Sequence, residues 1–202
     1  MHANVAGILL AAGDGTRLGQ PKAQIMLAGQ SLARRGIALL RDGGADPVIV
    51  VTGAADLAGL DSVAVTSVHN PDWRTGMGSS LAVGLAAVPA ECTAAVLALA
   101  DQPLVGSASV RRLISAYAGG ASVAVACYDG KPRNPVLIGR DHWAEVTRLA
   151  VGDVGARPFL RARSELVTLV DCSDTGRPDD IDTRDDLDRV GRLLAERAPF
   201  PS

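Results

Sequence analysis

Apolar residues along this chain fall into short runs broken by glycine, proline and polar positions. Runs at 5–10, 47–52, 63–69, 94–100, 122–128, 135–138 and 166–170 have the length and composition of strands. Helical stretches lie between them, at 31–42, 79–87, 107–118, 140–149, 156–163 and 183–197. Several open on Ser or Thr, the favoured N-cap residues. Gly43-Gly44 and Gly119-Gly120 follow two of them, where a left-handed residue commonly ends a helix. This alternation predicts an α/β fold with a mostly parallel sheet. Ligands on such sheets bind at the carboxyl ends of the strands, so the loops after Leu10, His69 and Ala100 should converge.

Composition narrows the possibilities. With 202 residues, 48% of them hydrophobic, the chain is long enough for one domain with a full core, expected over residues 1–202. A net charge of −2 provides no basic field for nucleic acid. No apolar run approaches the length of a membrane span. The segment Met1-His2-Ala3-Asn4 lacks the basic and apolar regions of a signal peptide, so a cytoplasmic location is expected. Cys92, Cys127 and Cys172 are far apart and form no Cys-x-x-Cys, which reads as reduced, packed thiols. His2, His69 and His142 have no zinc-ligand spacing. A small-molecule enzyme or a binding module remains.

The most informative stretch is Leu9-Leu10-Ala11-Ala12-Gly13-Asp14-Gly15-Thr16-Arg17-Leu18-Gly19-Gln20-Pro21-Lys22. An apolar strand gives way at once to glycines, an arginine and a lysine. Gly13, Gly15 and Gly19 are expected to adopt positive φ and to present bare N–H groups to an anion, with Arg17 and Lys22 adding fixed charge. A triphosphate suits such a loop, although the same residues could form a tight bend with both cations solvated. Leu18 stands where a dinucleotide fingerprint needs its third glycine, and no Gly-Lys-Ser/Thr triplet completes a Walker A loop.

Three further stretches carry chemistry. The apolar run 94–100 delivers Asp101 to the sheet edge, and Pro103 stops the ladder from continuing. One carboxylate beside a phosphate loop suits Mg²⁺, which takes one or two carboxylates together with phosphate oxygens; a turn cap through Gln102 is the alternative. In 69–81, glycines and the Ser79-Ser80 pair at a helix start could read a base edge or a ribose, or could serve only as a loop with a good N-cap. Arg157 follows Gly152-Asp153-Val154-Gly155-Ala156 in the first turn of a helix, against the dipole. Such a placement suits an anionic ligand. Arg133 and Asn134 offer a guanidinium and an amide to a phosphate. Asp182 before Thr183 is either a metal ligand or an N-cap, while Asp180, Asp185 and Asp186 read as acids that cap the last helix and face water.

Together these motifs resemble the nucleoside-triphosphate transferase family, whose members open Leu-Ala-Ala/Gly-Gly-x-x-x-Arg-Met/Leu-Gly and reach a Lys shortly after. Leu10, Ala11, Ala12, Gly13, Arg17, Leu18, Gly19 and Lys22 match, and Asp101 matches the family's Leu-x-Asp-x-Pro metal segment. Gly76, Met77, Ser80 and Leu81, with Gly152 to Arg157, resemble the branch of molybdenum cofactor cytidylyltransferases. Lys131-Pro132-Arg133-Asn134 departs from it, since Gly-His is usual where Arg133 and Asn134 stand. Residues 178–187 resemble the closing Asp-Ile-Asp-Thr-Pro-Glu-Asp-Leu.

The resemblance implies a three-layer α/β/α Rossmann-like fold with a mixed sheet, and nucleotidyl transfer with release of pyrophosphate. Leu10, Ala11, Ala12, Gly13, Gly15, Gly76 and Ser80 would hold the nucleotide, with Arg17 and Lys22 on its phosphates. Asp101 and Asp182 would hold Mg²⁺, and Arg133, Asn134 and Arg157 would face the acceptor. Leu-Ala-Ala-Gly favours CTP over GTP as donor. The implied acceptor is molybdopterin cofactor, and the implied downstream partner a molybdoenzyme of the xanthine dehydrogenase type. Another phosphorylated acceptor, or a cofactor-carrying chaperone without turnover, would fit the same motifs.

Overall fold

The structure is a computed structural model that describes residues 4–55 and 65–196. In chain order the elements are β1 (Val5–Leu10), β2 (Met26–Leu27), β3 (Gln30–Ser31), α1 (Leu32–Asp42), β4 (Val48–Thr52), β5 (Thr66–His69), α2 (Met77–Ala86), β6 (Ala94–Leu99), α3 (Ser107–Ala118), β7 (Val123–Tyr128), β8 (Lys131–Gly139), α4 (Trp143–Leu149), α5 (Arg157–Ala162), β9 (Val167–Asp171) and α6 (Arg184–Glu196). Val63 and Ala64, at the start of one expected strand, lie outside the described residues, as do His2 and Arg197.

Seven strands form one sheet in the order β5-β4-β1-β6-β8-β7-β9. All neighbours pair in parallel except β8, which runs antiparallel to both β6 and β7. Successive residues of β1 and β4 point to opposite faces and both faces are covered, which is why these strands read as unbroken apolar runs. Leu9 and Val50 pack with Ile37 and Leu40 of α1 and with Val110 and Leu113 of α3. Ile8 and Ile49 pack on the other face with Leu81 of α2, Val146 of α4 and Phe159 of α5. The result is the three-layer α/β/α arrangement with a mixed sheet.

Strand β8 begins at Lys131, four residues earlier than the hydrophobic pattern predicts. Pro132 and Pro135 hide it, since proline normally argues against a strand. The register slips between Val125 and Ala126, so that Val125 pairs with Val136 and Ala126 with Arg133. Asn134 and Pro135 bulge out of the ladder there. The turn into β8 is Asp129-Gly130, with φ of 50° and 75°, the pair of positive angles that a tight hairpin requires.

Helix starts depart from the expected caps at two places. Ser31 caps α1 and accepts from the Arg34 amide at 3.3 Å. Ser79 and Ser107 do not cap; α2 starts two residues earlier at Met77, and Gly106 precedes α3. Among the described residues no helix is long and apolar enough to cross a membrane. The three cysteines are buried and unpaired, and burial pushes the Cys92 and Cys172 thiols up.

A third, smaller cluster gathers Leu18, Ile25, Leu27, Leu104, Ile181 and Val190. It fastens α6 and the segment before it to the glycine loop. Thr183 closes the helix start reciprocally with Asp186: the Asp186 amide donates to Thr183 Oγ1 at 3.2 Å, and Asp186 Oδ2 accepts from the Thr183 amide at 3.0 Å and from its hydroxyl at 2.8 Å. This is a capping box with Asp in place of Glu, so the N-cap role falls to Thr183 and leaves Asp182 for other contacts. Thr183 and then Arg189 hold the Asp186 carboxyl down to about 2, from an ordinary 3.8. A depressed carboxylate stabilises the folded state above its unfolded pKa and loses that contribution as pH falls through the folded one. Amide exchange in the first turn of α6 should therefore accelerate as pH falls from about 4 towards 2, after correction for intrinsic rates. Asp186→Asn should remove that dependence; an unchanged profile in the variant would show that the cap does not titrate.

Candidate functional site

Beyond β1 the chain winds through two short 3₁₀ turns, Thr16–Leu18 and Lys22–Gln24, before the β2–β3 hairpin. Gly15 and Gly19 adopt left-handed φ of 61° and 73°. Gly13 does not; a Cβ there would meet nothing within 4 Å, so this glycine keeps the loop surface open and is not there for a special φ. At Gly15 a Cβ would lie 2.1 Å from the Gln20 carbonyl oxygen, which shows how tightly the loop closes on itself. Buried Leu18 anchors the turn in the third cluster, and Arg17 stands exposed beside it.

Lys22 is the junction of the site. Its Nζ donates to Asp101 Oδ2 at 2.7 Å and to Asp182 Oδ1 at 2.5 Å, which joins three segments distant in sequence. Asp101 stands two residues beyond the end of β6, and its carbonyl accepts from the Ile181 amide at 2.9 Å. With Ile181 fully buried, the next side chain, Asp182, is delivered to Lys22. Burial lowers the Lys22 pKa, but attraction to Asp101 and bonds to both carboxylates more than reverse this, and the net shift is upward. Lys22 is thus an ammonium throughout the physiological range, a fixed charge and not a base.

Asp101 Oδ1 is buried without a hydrogen-bond partner. An orphaned carboxylate oxygen beside a second carboxylate is an oxygen donor set that suits a hard divalent ion completing its shell with phosphate and water. No group of three or more His, Cys, Asp or Glu gathers into a metal cage among the described residues. Asp180 was expected to cap the last helix and face water; it keeps an exposed surface, but its Oδ1 accepts from the Nε2 of buried Gln102 at 2.8 Å. Partial burial of its carboxyl and the nearby Asp101 and Asp182 raise its pKa.

A pocket of about 260 Å³ opens above these groups. Leu10 to Gly13, Lys22, Asp101, Trp73, Gly76, Met77, Ser80 and Asp153 line it; in the sheet order β5-β4-β1-β6, Trp73 follows β5 and Asp101 follows β6, on opposite sides of β1. The stretch after β5 is tied by Asn70, which is 1% exposed. Asn70 Nδ2 donates to Ser79 Oγ and Ser80 Oγ, each at 2.9 Å, and its Oδ1 accepts from the Asp72 amide at 3.0 Å.

The turn at 150–155 closes onto this stretch. Gly78 N donates to the Gly152 carbonyl at 2.8 Å, and Asp153 Oδ1 accepts from the Met77 amide at 3.2 Å, doing for α2 what its own N-cap, Gly76, cannot. A Cβ on Gly76 would sit 2.4 Å from the Gly152 carbonyl carbon, and one on Gly78 would sit 1.9 Å from the Ala150 carbonyl oxygen.

Of the residues singled out from sequence, the structure brings Leu10, Ala11, Ala12, Gly13, Lys22, Gly76, Ser80 and Asp101 around one pocket, with Asp182 attached through Lys22. Gly15, Arg17, Arg133, Asn134 and Arg157 do not border it. Arg133 lies exposed on β8, with Nη1 donating to the Pro132 carbonyl at 3.2 Å; Asn134 is half-buried beside it, and Arg157 is exposed at the start of α5. Sequence reasoning missed Asn70, Trp73 and Asp153 as parts of the site. The signals were present, since Asn70 and Trp73 lie in the glycine-serine stretch and Asp153 in the Gly-Asp turn, each read for its neighbours alone.

The domain described as "MobA-like NTP transferase domain" matches residues 7–167. The nicotine blue oxidoreductase of Paenarthrobacter nicotinovorans is 37% identical over 94% of this chain and 96% of its own length. A probable molybdenum cofactor guanylyltransferase of Opitutus terrae is 45% identical over a shorter stretch, 23% of either chain. Rv0371c of Mycobacterium tuberculosis H37Rv is 28% identical, with a TM-score of 0.77 over 95% of this chain and 100% of that one. It has also been solved in complex with manganese, with a TM-score of 0.75 over 94% of this chain and 99% of that one. The glycine loop, the mixed sheet and the matched span agree: this chain is a nucleotidyltransferase-fold protein and belongs to the MobA-like NTP transferase family.

Proposed function

We propose that this chain transfers a nucleoside monophosphate, CMP from CTP, to the terminal phosphate of molybdopterin cofactor in the cytoplasm, with Mg²⁺ and as a single domain. The observation that carries the reading is the Lys22 ammonium held between Asp101 and Asp182 at the end of a pocket lined by the glycine loop. A phosphate oxygen of the acceptor forms a bond to the α-phosphorus, the bond from that phosphorus to the β-phosphate bridging oxygen breaks, and pyrophosphate leaves. The acceptor oxygen is already anionic, so no residue has to remove a proton. Catalysis then rests on alignment and on charge placed where the phosphates are.

Lys22 supplies one such charge, and its raised pKa keeps it there. The amides from Gly13 to Gly15 would hold the β and γ groups, and Arg17, exposed on the same loop outside the pocket lining, would add its charge where the triphosphate extends beyond the pocket. Asp101 and Asp182 are the residues that would hold Mg²⁺, which when bound would neutralise the reacting phosphates. Ala11-Ala12-Gly13 supports CTP over GTP by the family's motif. Arg133, Asn134 and Arg157, outside the pocket, are the groups left for an acceptor phosphate. The likeness to a molybdenum cofactor guanylyltransferase supports the acceptor class, and a molybdoenzyme of the xanthine dehydrogenase type would take the product.

The relative named nicotine blue oxidoreductase raises a second reading, an oxidoreductase acting on nicotine blue in the same pocket, favoured by 37% identity along nearly the whole chain. Leu18 in place of the third glycine of a dinucleotide fingerprint stands against a Rossmann-type nicotinamide site in that loop.

Two measurements test the proposal. With Mg²⁺ and purified molybdopterin cofactor, pyrophosphate release is expected from CTP in preference to GTP, to depend on the cofactor, and to fall at least about 100-fold in Asp101→Ala, the range seen when a charge-stabilising group is removed. Nucleotide binding without release would point to a carrier, and oxidation of NADH or NADPH on addition of nicotine blue would favour the second reading. In the nucleotide-free protein, Lys22→Met should tighten Mn²⁺ binding, read by electron paramagnetic resonance, because the metal inherits two carboxylates that the ammonium otherwise neutralises. Equal or weaker Mn²⁺ binding would remove Asp101 and Asp182 as the metal's ligands.

A further inference from the structure

The pocket has two unlike sides, and only one of them has been given a task. Lys22 and Asp101 bring charge on the β6 side of β1, whereas Trp73, with Gly76, Met77 and Ser80 after it in the chain, follows β5 on the other side. The chain has six aromatic residues, two each of Trp, Tyr and Phe. Trp143, Tyr128 and Phe159 are buried in the core, and Tyr117 donates to the Thr93 carbonyl at 3.0 Å. Trp73 is the aromatic residue that borders the pocket among the described residues, and it stays half-exposed there.

Its placement is fixed from two sides. A Cβ on Gly53 would lie 2.7 Å from Trp73 Cβ and Cγ and 2.8 Å from Ala12 Cβ, so the absence of a side chain at Gly53 lets the indole approach the first loop. The Arg74 guanidinium lies 4.3 Å from the ring centroid, close enough for a cation–π contact. With Arg74 over the ring, the indole surface that borders the pocket is still apolar and partly exposed, and a planar aromatic ligand is the chemistry that covers it.

We infer that Trp73 forms the stacking wall for the base of the nucleotide, with Arg74 and Gly53 as positioning residues for its ring. The inference rests on the nucleotide reading of the pocket: phosphates drawn to Lys22 leave the base for the side away from that charge, where Trp73 stands. The base, and not a planar acceptor, is the occupant because Trp73 shares its pocket with Ala11 to Gly13, whereas Arg133, Asn134 and Arg157 lie outside it. Stacking of this kind tolerates any base, so Trp73 contributes affinity for nucleosides as a class.

Titration of the full chain with CTP, cytidine and inorganic tripolyphosphate tests this without catalysis. Trp143, only 7% exposed and donating through Nε1 to the Ile138 carbonyl at 3.0 Å, is insulated from the ligand, so a change in tryptophan emission reports on Trp73. CTP and cytidine should change the emission, and Trp73→Ala should weaken CTP about 5- to 150-fold by calorimetry while leaving tripolyphosphate affinity unchanged. Trp73→Phe should recover most of the loss, which separates stacking from a folding defect. Equal CTP affinity in wild type and Trp73→Ala overturns the inference, as does a parallel loss of tripolyphosphate in both variants. CTP binding without pyrophosphate release would fail the transfer proposal and leave the stacking result standing; failure of CTP to bind at all overturns both.

Discussion

One ammonium between two carboxylates sets the geometry of this site. Lys22, Asp101 and Asp182 come from the glycine loop, the end of β6 and the approach to α6, and the bond from the Ile181 amide to the Asp101 carbonyl sets the two carboxylate-bearing segments side by side. The side chains of Lys22 and Asp101 are each 21% exposed, so neither charge has a full hydration shell. A partly buried carboxylate without a counter-charge is costly, and truncating one partner of such a pair leaves the other stranded. The third hydrophobic cluster keeps the segments in register, with Leu18 and Ile25 flanking Lys22 in the chain and Ile181 preceding Asp182.

The other side of the pocket depends on missing side chains. Gly76 and Gly78 let the 150–155 turn lie directly on the start of α2, and Gly53 lets the Trp73 indole reach Ala12. Asp153 joins that turn to α2 by accepting from the Met77 amide. The first loop, the α2 start and the 150–155 turn thus form one wall whose parts hold each other in place.

Much of this was legible in the sequence because the strands are covered on both faces and therefore read as unbroken apolar runs. The glycine loop, Asp101 and the order of strands and helices follow from local pattern alone. What was not legible depended on contacts between distant segments. Pro132 and Pro135 disguised the first half of β8, and the Asp129-Gly130 turn is what identifies the hairpin. Ser79 looked like a cap, yet its hydroxyl donates to the Gly76 carbonyl at 2.9 Å, inside the loop. Whether Asp182 capped the helix or faced the site could not be separated by spacing, and was decided by Asp186, three residues beyond Thr183, completing a capping box without it.

Lys22, Asp101 and Asp182 are proposed to form a place for a metal-bound triphosphate. Crystals grown with CTP and Mn²⁺, measured at the manganese absorption edge, test it most directly. An anomalous peak is expected between Asp101 and Asp182, with Lys22 Nζ moved from the carboxylates to a phosphate oxygen. A peak elsewhere, or Lys22 still bridging both carboxylates with nucleotide bound, would contradict it.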